Sequence, residues 1–267
     1  MSRRRAVLGI DAAWTATQPS GVALAVEEAR GWTLRAVAPS YAHFLALAAE
    51  GAAPDRPVGS QPDAAALLDA AARLGGVAVS LVAIDMPLAH APIVGRRASD
   101  NAVARAFGSR HCGTHSPSAL RPGPLSDRLR AGFGAAGYPL RTDDASAGGL
   151  IEVYPHPALV VLAQAPRRLP YKAGNSAKYW PGEPLAVRRQ LLRDQWRRIA
   201  ALLETRLHGV ADRLPPLGET ATGAAAKAHE DMLDAIVCAW IGTTALAGEA
   251  DAYGDAESAI WVPRLAG

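Results

Sequence analysis

Hydrophobic residues occur along the chain in short runs that turn-forming or acidic residues separate, a pattern typical of strands. Strands are predicted over residues 6–11, 21–26, 32–38, 77–85, 150–154 and 260–262. The first three follow one another through short polar connections, which predicts an antiparallel meander. The run 77–85 is apolar almost throughout, so we expect it to be covered on both faces and to lie beside the first strand. The run 260–262 is expected at an edge.

Apolar residues at helical spacing predict helices between and after these strands. The helices cover residues 41–50, 63–74, 95–107, 125–133, 158–163, 185–207 and 229–247. Asp63 is a good capping residue for the second helix, and Gly75 and Gly76 end it. The last helix is apolar nearly all round and is expected to be enclosed. Strands and helices together predict an α/β fold.

One domain is expected over residues 1–267, because a chain of 267 residues that is 49% hydrophobic and 20% charged can bury a large core. Residues 89–148 do not resemble a simple connection between strands. They contain two predicted helices around an irregular loop rich in Gly, Ser, His and Pro. Long irregular segments in compact domains tend to be functional, so we interpret residues 89–148 as an insertion over a site.

The chain carries no predicted signal peptide or membrane span, because its N-terminal apolar run is short and ends at Asp11. Its two cysteines form no disulfide framework. Both observations favour a cytoplasmic protein with no membrane partner. The net charge of +3 agrees with a nucleic-acid partner but indicates it only weakly.

Four aspartates on three separate elements are the strongest indication of chemistry. Asp11 and Asp85 each end a predicted strand, and Asp231 and Asp234 stand three apart in the predicted first turn of the last helix, where the helix dipole favours acids. Small residues on the same helix face would let it approach the sheet. Taken singly, each aspartate is more simply explained as a cap or a turn residue. Together they predict a site for Mg²⁺ or Mn²⁺, which prefer oxygen ligands.

The same order of elements resembles the RNase H-like superfamily, in which acids lie on the first strand, the fourth strand and the last helix. The spacing of Asp231 and Asp234 resembles that of Holliday-junction resolvases within that superfamily. Five motifs are similar to the domain of unknown function 429 family (DUF429), whose members are predicted nucleases of RNase H-like fold. They are Gly9-Ile10-Asp11, Ala83-Ile84-Asp85-Met86-Pro87, Glu152-Val153-Tyr154-Pro155, Leu169-Pro170-Tyr171-Lys172 and Asp231-Met232-Leu233-Asp234-Ala235.

This resemblance implies a mixed five-stranded sheet with an antiparallel meander and helices on both faces. It also implies phosphodiester hydrolysis by a one- or two-metal-ion mechanism, with Asp11, Asp85, Asp231 and Asp234 as catalytic metal ligands. The partner would be a nucleic acid, with DNA, RNA and junctions all open. A homodimer is possible, since junction resolvases pair.

Three accessory residues are open to a functional or an ordinary interpretation. Glu152 is a candidate metal or water ligand or an exposed strand-end acid, Lys172 a candidate phosphate contact, and His115 a group that positions substrate or water. His111, Cys112 and His115 suggest zinc, but a structural zinc site needs four ligands and no second cluster with suitable spacing is present.

Other functions fit the sequence less well. Residues 132–137 spell the dinucleotide fingerprint, but a helical pattern precedes them and Pro139 follows, and no P-loop motif occurs. An actin-like ATPase or sugar kinase would share the meander, yet the turn after Asp11 contains Trp14 and has no glycine before Gly21. A catalytically inactive module that binds nucleic acid or protein remains the main alternative to a nuclease.

Overall fold

A mixed seven-stranded sheet forms the centre of the computed structural model, which describes residues 4–264. The ends of the predicted domain, 1–3 and 265–267, lie outside the described residues. The strands are β1 (Ala6–Asp11), β2 (Gly21–Glu28), β3 (Gly31–Ala38), β4 (Leu81–Ile84), β5 (Gly149–Val153), β6 (Ala250–Gly254) and β7 (Ala259–Pro263). Their order in the sheet is β3-β2-β1-β4-β5-β7-β6.

The predicted meander is confirmed, because β1, β2 and β3 pair antiparallel in that order. β4 then lies parallel to β1, β5 parallel to β4 and β7 parallel to β5, while β6 returns antiparallel along β7. The residues of β1 and β4 are buried except Asp11, which is partly exposed, as expected for strands covered on both faces. The carboxyl ends of four parallel strands therefore meet at one edge of the sheet.

The expectation of five strands is wrong, since the sheet has seven. Residues 260–262 were expected at an edge, but β7 lies between β5 and β6, and β6 forms that edge. β6 was not predicted from the apolar pattern, because three of its residues are only half-buried and one is exposed. The predicted strand 77–85 is shorter than expected and begins at Leu81.

Helices cover both faces of the sheet, as expected from the resemblance. They are α1 (Tyr41–Ala49), α2 (Ala64–Gly75), α3 (Ala98–Phe107), α4 (Pro124–Ala135), α5 (Pro155–Leu162), α6 (Ser176–Tyr179), α7 (Leu185–Glu204), α8 (Val210–Arg213) and α9 (Gly223–Leu246). Alternate residues of β1 enter different cores: Val7 packs in the core that contains α5, α7 and α9, whereas Leu8 packs with α1, α2 and α4. Within residues 4–264 no helix has the length and apolar character required to cross a membrane.

Helix α9 begins earlier than predicted, which moves its acids away from the helix end. Its cap is Thr222, whose side chain accepts a hydrogen bond from the Ala225 N–H, so residues 223–228 add more than one further turn. These turns were missed because their alanines and polar residues continue the helix without the apolar pattern. Asp231 and Asp234 therefore lie within the helix, and the expected stabilisation by the helix dipole is wrong.

Two glycines let α9 lie directly on the sheet. A Cβ on Gly9 of β1 would overlap the backbone of Ala239, and a Cβ on Gly21 of β2 would overlap the backbone of Asp231. Because side-chain volume is absent at both positions, the helix backbone contacts β1 and β2. This close approach fixes where the α9 acids meet the sheet.

Candidate functional site

The first two acids stand side by side at the carboxyl ends of adjacent strands. β1 and β4 are parallel, Ile10 is paired with Ile84, and the Asp85 N–H donates to the Ile10 carbonyl at 2.9 Å. Asp11 is the last residue of β1, and Asp85 follows the last residue of β4. The sheet register thus brings together two acids that are 74 positions apart.

Helix α9 delivers the other two acids to the same place. Asp11 is paired with Gly21 in the sheet, and the Asp231 backbone lies against Gly21. Asp231 and Asp234 are three residues apart and share a helix face, and they are 1% and 0% exposed. The structure therefore brings all four predicted acids to one region.

Burial and mutual repulsion raise the pKa of three of these carboxyl groups. Burial raises the pKa of Asp11 well above its ordinary value, and Asp234 raises it further. Burial and Asp234 raise the pKa of Asp85 to about 7, although Lys172 opposes the change. Burial raises the pKa of Asp231 to about 6 despite its contact with Lys227. The acids are thus crowded enough for each to disfavour the ionisation of its neighbours.

Two lysines pair with the α9 acids, and one of them was missed in the sequence. Lys172 forms an ion pair with Asp234 and lies 3.5 Å from Glu230 Oε1, whereas Lys227 pairs with Asp231 and lies 3.3 Å from the same oxygen. Burial lowers the pKa of Lys172, but the surrounding acids and Tyr171 together raise it by more. The acids also raise the pKa of Lys227 above its ordinary value against the effect of burial, so both ammonium groups stay charged. Lys172 thus contacts acids of the site, and Lys227 and Glu230 join it.

The loop that carries Lys172 is fastened to the site by its neighbours. The Tyr171 hydroxyl donates to Asp234 Oδ1 at 2.7 Å, and the Ala173 N–H donates to Glu230 Oε2 at 2.6 Å. The buried Trp196 of α7 donates its indole N–H to the Tyr171 carbonyl at 2.8 Å. These bonds fix the loop against α9 and explain why the Leu169–Lys172 motif belongs to the site.

Glu152 lies in a buried ion pair with Arg97, close enough to Asp85 to raise its pKa. Its two oxygens accept from the Arg97 guanidinium at 2.7 and 2.5 Å, and one also accepts from the Leu88 N–H at 2.7 Å. Arg97 in turn pairs with Asp100 of α3. Burial raises the pKa of Glu152, and Arg97 opposes that change. Glu152 therefore connects β5 to the segment 89–148.

The histidine loop borders the site without forming a zinc centre. His115 lies edge-on to Trp14, with ring centroids 6.4 Å apart. Cys112 is fully buried, and burial raises its pKa to about 11. In the part of the chain that the structure describes, no three His, Cys, Asp or Glu side chains stand close enough together to hold a metal ion. That finding covers both the histidine loop and, as the side chains stand, the four aspartates.

A comparison with protein families identifies the kind of chain that carries this site. The family described as "Protein of unknown function (DUF429)" matches residues 9–258, which include all four aspartates and both lysines. The chain belongs to this family. Searches of curated proteins and of solved structures found no significant match.

A cavity of about 400 Å³ opens beside the acids of this DUF429 protein. Of the four aspartates, Asp85 lines the cavity, together with both lysines. Asp231 and Asp234 are almost fully buried next to those lysines. Residues from the segment 89–148, among them His115, line another part of the cavity. A ligand in this cavity would therefore meet Asp85 and the two ammonium groups.

The carboxylates of the DUF429 site fit a hard divalent cation by their chemistry and charge. Asp231 Oδ2 is buried and has no hydrogen-bond partner among the described residues. The two lysines compensate only part of the negative charge, because Asp11, Asp85, Asp231, Asp234 and Glu230 supply five carboxyl groups. A cation that binds to Asp231 and Asp234 must displace or share the contacts of Lys227 and Lys172. Carboxylate oxygens are the donors that Mg²⁺ and Mn²⁺ prefer, but as the side chains stand the lysines occupy those of Asp231 and Asp234.

Proposed function

We propose that this DUF429 protein is a divalent-metal-dependent nuclease of RNase H-like fold that hydrolyses phosphodiester bonds in nucleic acid. The observation that carries the proposal is the meeting of Asp11 and Asp85 with Asp231 and Asp234 at one edge of the sheet. Sequence-distant acids rarely gather in a core without a function that requires their charge, because burying them raises their pKa and costs stability.

Asp11, Asp85, Asp231 and Asp234 would hold Mg²⁺ or Mn²⁺. When bound, such ions lower the pKa of a water molecule and stabilise charge on the leaving oxygen. The carboxylates would be ionised when they lie next to the positive charge of the ion. Tyr171 would hold Asp234 in place through the 2.7 Å hydrogen bond that its hydroxyl donates. Lys172 and Lys227 line the cavity, so they would turn toward the phosphate when they leave the carboxylates.

A second function, a catalytically inactive module that binds nucleic acid or protein, is favoured by a different observation. Lys172 and Lys227 already pair with Asp234 and Asp231, so the fold supplies part of the neutralising charge itself. A Mn²⁺ titration followed by thermal unfolding separates the two functions. The melting temperature of a nuclease should rise with Mn²⁺ concentration, because a ligand that binds only the folded state stabilises it. The melting temperature of the inactive module should not change.

Asp11→Asn is the direct test of the nuclease proposal. It keeps the shape of the side chain but removes the charge that β1 places between Asp85 and Asp231. Cleavage of single-stranded, duplex, hybrid and junction substrates is measured with Mg²⁺ or Mn²⁺ and with EDTA. We expect metal-dependent cleavage of at least one substrate and its loss by at least about a hundredfold in Asp11→Asn.

Asp55→Asn is the matched control, because Asp55 lies exposed in the loop between α1 and α2 and undergoes the same chemical change. Its cleavage rate should equal that of the wild type. Undiminished cleavage by a folded Asp11→Asn protein, or equal activity in EDTA, would contradict the proposal.

A further inference from the structure

Arg168 is a positively charged residue of the cavity for which the described residues provide no salt-bridge partner. It lines the cavity together with Arg97, Lys172 and Lys227. Those three pair with carboxylates of the protein, whereas no acid within residues 4–264 forms a salt bridge with Arg168. Its Nε is buried and has no hydrogen-bond partner in the described part of the chain. A guanidinium without a salt-bridge partner in the protein is available to an anionic ligand.

A second buried group next to Arg168 also lacks a partner. His156 is 6% exposed, lines the same cavity, and its Nδ1 has no hydrogen-bond partner among residues 4–264. Burial lowers the pKa of His156 well below its usual value, and the nearby Lys172 and Arg168 lower it further. The ring is therefore neutral and can donate or accept one hydrogen bond. Buried polar groups without protein partners in a concave site are groups that a bound ligand can satisfy.

Aromatic side chains provide apolar surface within the same cavity. Trp14 and Tyr154 both line it. The Tyr154 hydroxyl donates to the Gly113 carbonyl at 3.1 Å, and the ring lies edge-on to His156 with centroids 5.4 Å apart. Tyr154 therefore presents ring surface and not a free hydroxyl to the cavity. An arginine beside aromatic rings is a combination that suits a phosphate joined to a flat base.

We propose that this cavity binds one unpaired nucleotide unit, with its phosphate on Arg168 and its base against Trp14 or Tyr154. The proposal rests on the nuclease function proposed above and names its substrate as a single-stranded segment or strand end. A volume of about 400 Å³ is in the range of small-molecule sites and suits one nucleotide. A base that stays paired cannot enter a cavity of this volume together with its partner strand. Asp85 borders the same cavity, so the bound phosphate would lie near the acids.

Binding is measured by fluorescence anisotropy with a short labelled oligothymidylate in EDTA, which prevents metal-dependent cleavage. A duplex of the same length, an abasic strand and thymidine monophosphate serve as competitors. The wild type should prefer the single strand to the duplex by at least about tenfold. The abasic strand should bind more weakly than the normal strand, because stacking on the aromatic rings is lost. Competition by thymidine monophosphate as strong as that by the strand would identify a free nucleotide as the source of the ligand.

Arg168→Gln should weaken binding by at least about tenfold, as expected for one charge-assisted contact. It should also reduce the slope of log affinity against log salt by about 0.7. Arg167→Gln is the matched control, because Arg167 is adjacent, exposed and outside the cavity. It should change affinity by less than about twofold. Arg168→Lys keeps the charge without the planar guanidinium and should bind with intermediate affinity, which serves as a second variant if Arg168→Gln melts early.

Equal effects of Arg167→Gln and Arg168→Gln, or equal affinity for duplex and single strand, would overturn the inference. Failure of the nuclease proposal gives a different result. If no substrate is cleaved with any metal but binding still depends on Arg168, the nucleotide cavity stands without the nuclease. If cleavage depends on metal and Asp11 while Arg168→Gln binds normally, the nuclease stands without this cavity.

Discussion

Asp231→Asn should make the metal-free protein more stable near neutral pH and less dependent on pH. Burial raises the pKa of Asp231 from its ordinary value of 3.8 to about 6. Because the folded state holds this proton more tightly than the unfolded chain, protonation of Asp231 favours folding. The contribution is complete below about pH 4 and is lost as the pH rises through about 6. The asparagine side chain does not titrate, so Asp231→Asn should not lose stability over this pH range.

The size of the effect follows from the displacement of the pKa. A change of one unit corresponds to about 1.4 kcal/mol, so a rise from 3.8 to about 6 corresponds to about 3 kcal/mol of unfolding free energy. The side chain is 1% exposed, so solvent screens this penalty little. For a domain of this size about 3 kcal/mol shifts the melting temperature by roughly 6–12 °C. Asp231 also raises the pKa of Asp11, so the substitution relieves part of that penalty too.

Urea unfolding at a series of pH values between about 4 and 7 measures the effect in EDTA. The free energies of wild type and Asp231→Asn should agree at the acid end and diverge by about 3 kcal/mol at the neutral end, with the variant more stable. Asp55→Asn, which changes an exposed residue, should follow the wild type throughout. Parallel curves for wild type and Asp231→Asn would refute the burial argument. A variant that is less stable than wild type at neutral pH would show that the pair with Lys227 outweighs burial.

Two further predictions concern how the site is held in place, and both are checked by unfolding measurements. Gly9→Ala should destabilise the fold by about 1–3 kcal/mol or more, because its Cβ would overlap the α9 backbone. In Gly134→Ala of α4 the added Cβ would contact no other atom, so this variant should stabilise the fold by about 0.5–1 kcal/mol. Equal effects of the two substitutions would contradict direct contact of α9 with the sheet. Arg97→Met should cost about 3–5 kcal/mol, since it leaves Glu152 buried without its cation, whereas Arg105→Met on the exposed side of α3 should be nearly neutral. A small loss in Arg97→Met would mean that Glu152 is protonated.

The central strands could be predicted because their surroundings are uniform. β1 and β4 are covered on both faces, so each is a nearly continuous apolar run whose end an acid marks. β6 could not be predicted in the same way, because it is an edge strand with half-buried residues and an Asp near its start. The start of α9 was missed for a similar reason, since residues 223–228 are exposed or half-buried and carry no apolar stripe.

The position of the acids could be predicted, but their partners could not. Strand ends and a helix face are local features, and parallel pairing of β1 with β4 is enough to bring Asp11 beside Asp85. The pair of Lys172 with Asp234 joins residues 62 apart through a loop of irregular shape, so no periodicity reveals it. Lys227 precedes Asp231 by four residues, and this helical spacing would have revealed their contact had the helix been extended to residue 223.

Charge balance within the site separates two roles for its acids. Asp231 and Asp234 have lysine partners, so the fold itself supplies their positive charge. Asp11 and Asp85 form no salt bridge with a residue in the range 4–264, and burial raises the pKa of both. Ionisation of this pair is therefore disfavoured, and a cation from outside the protein would favour it. Asp85 also borders the cavity, so a ligand reaches one of the two acids that have no cation partner. That arrangement is the one expected of the proposed nuclease site, in which cation and substrate would meet.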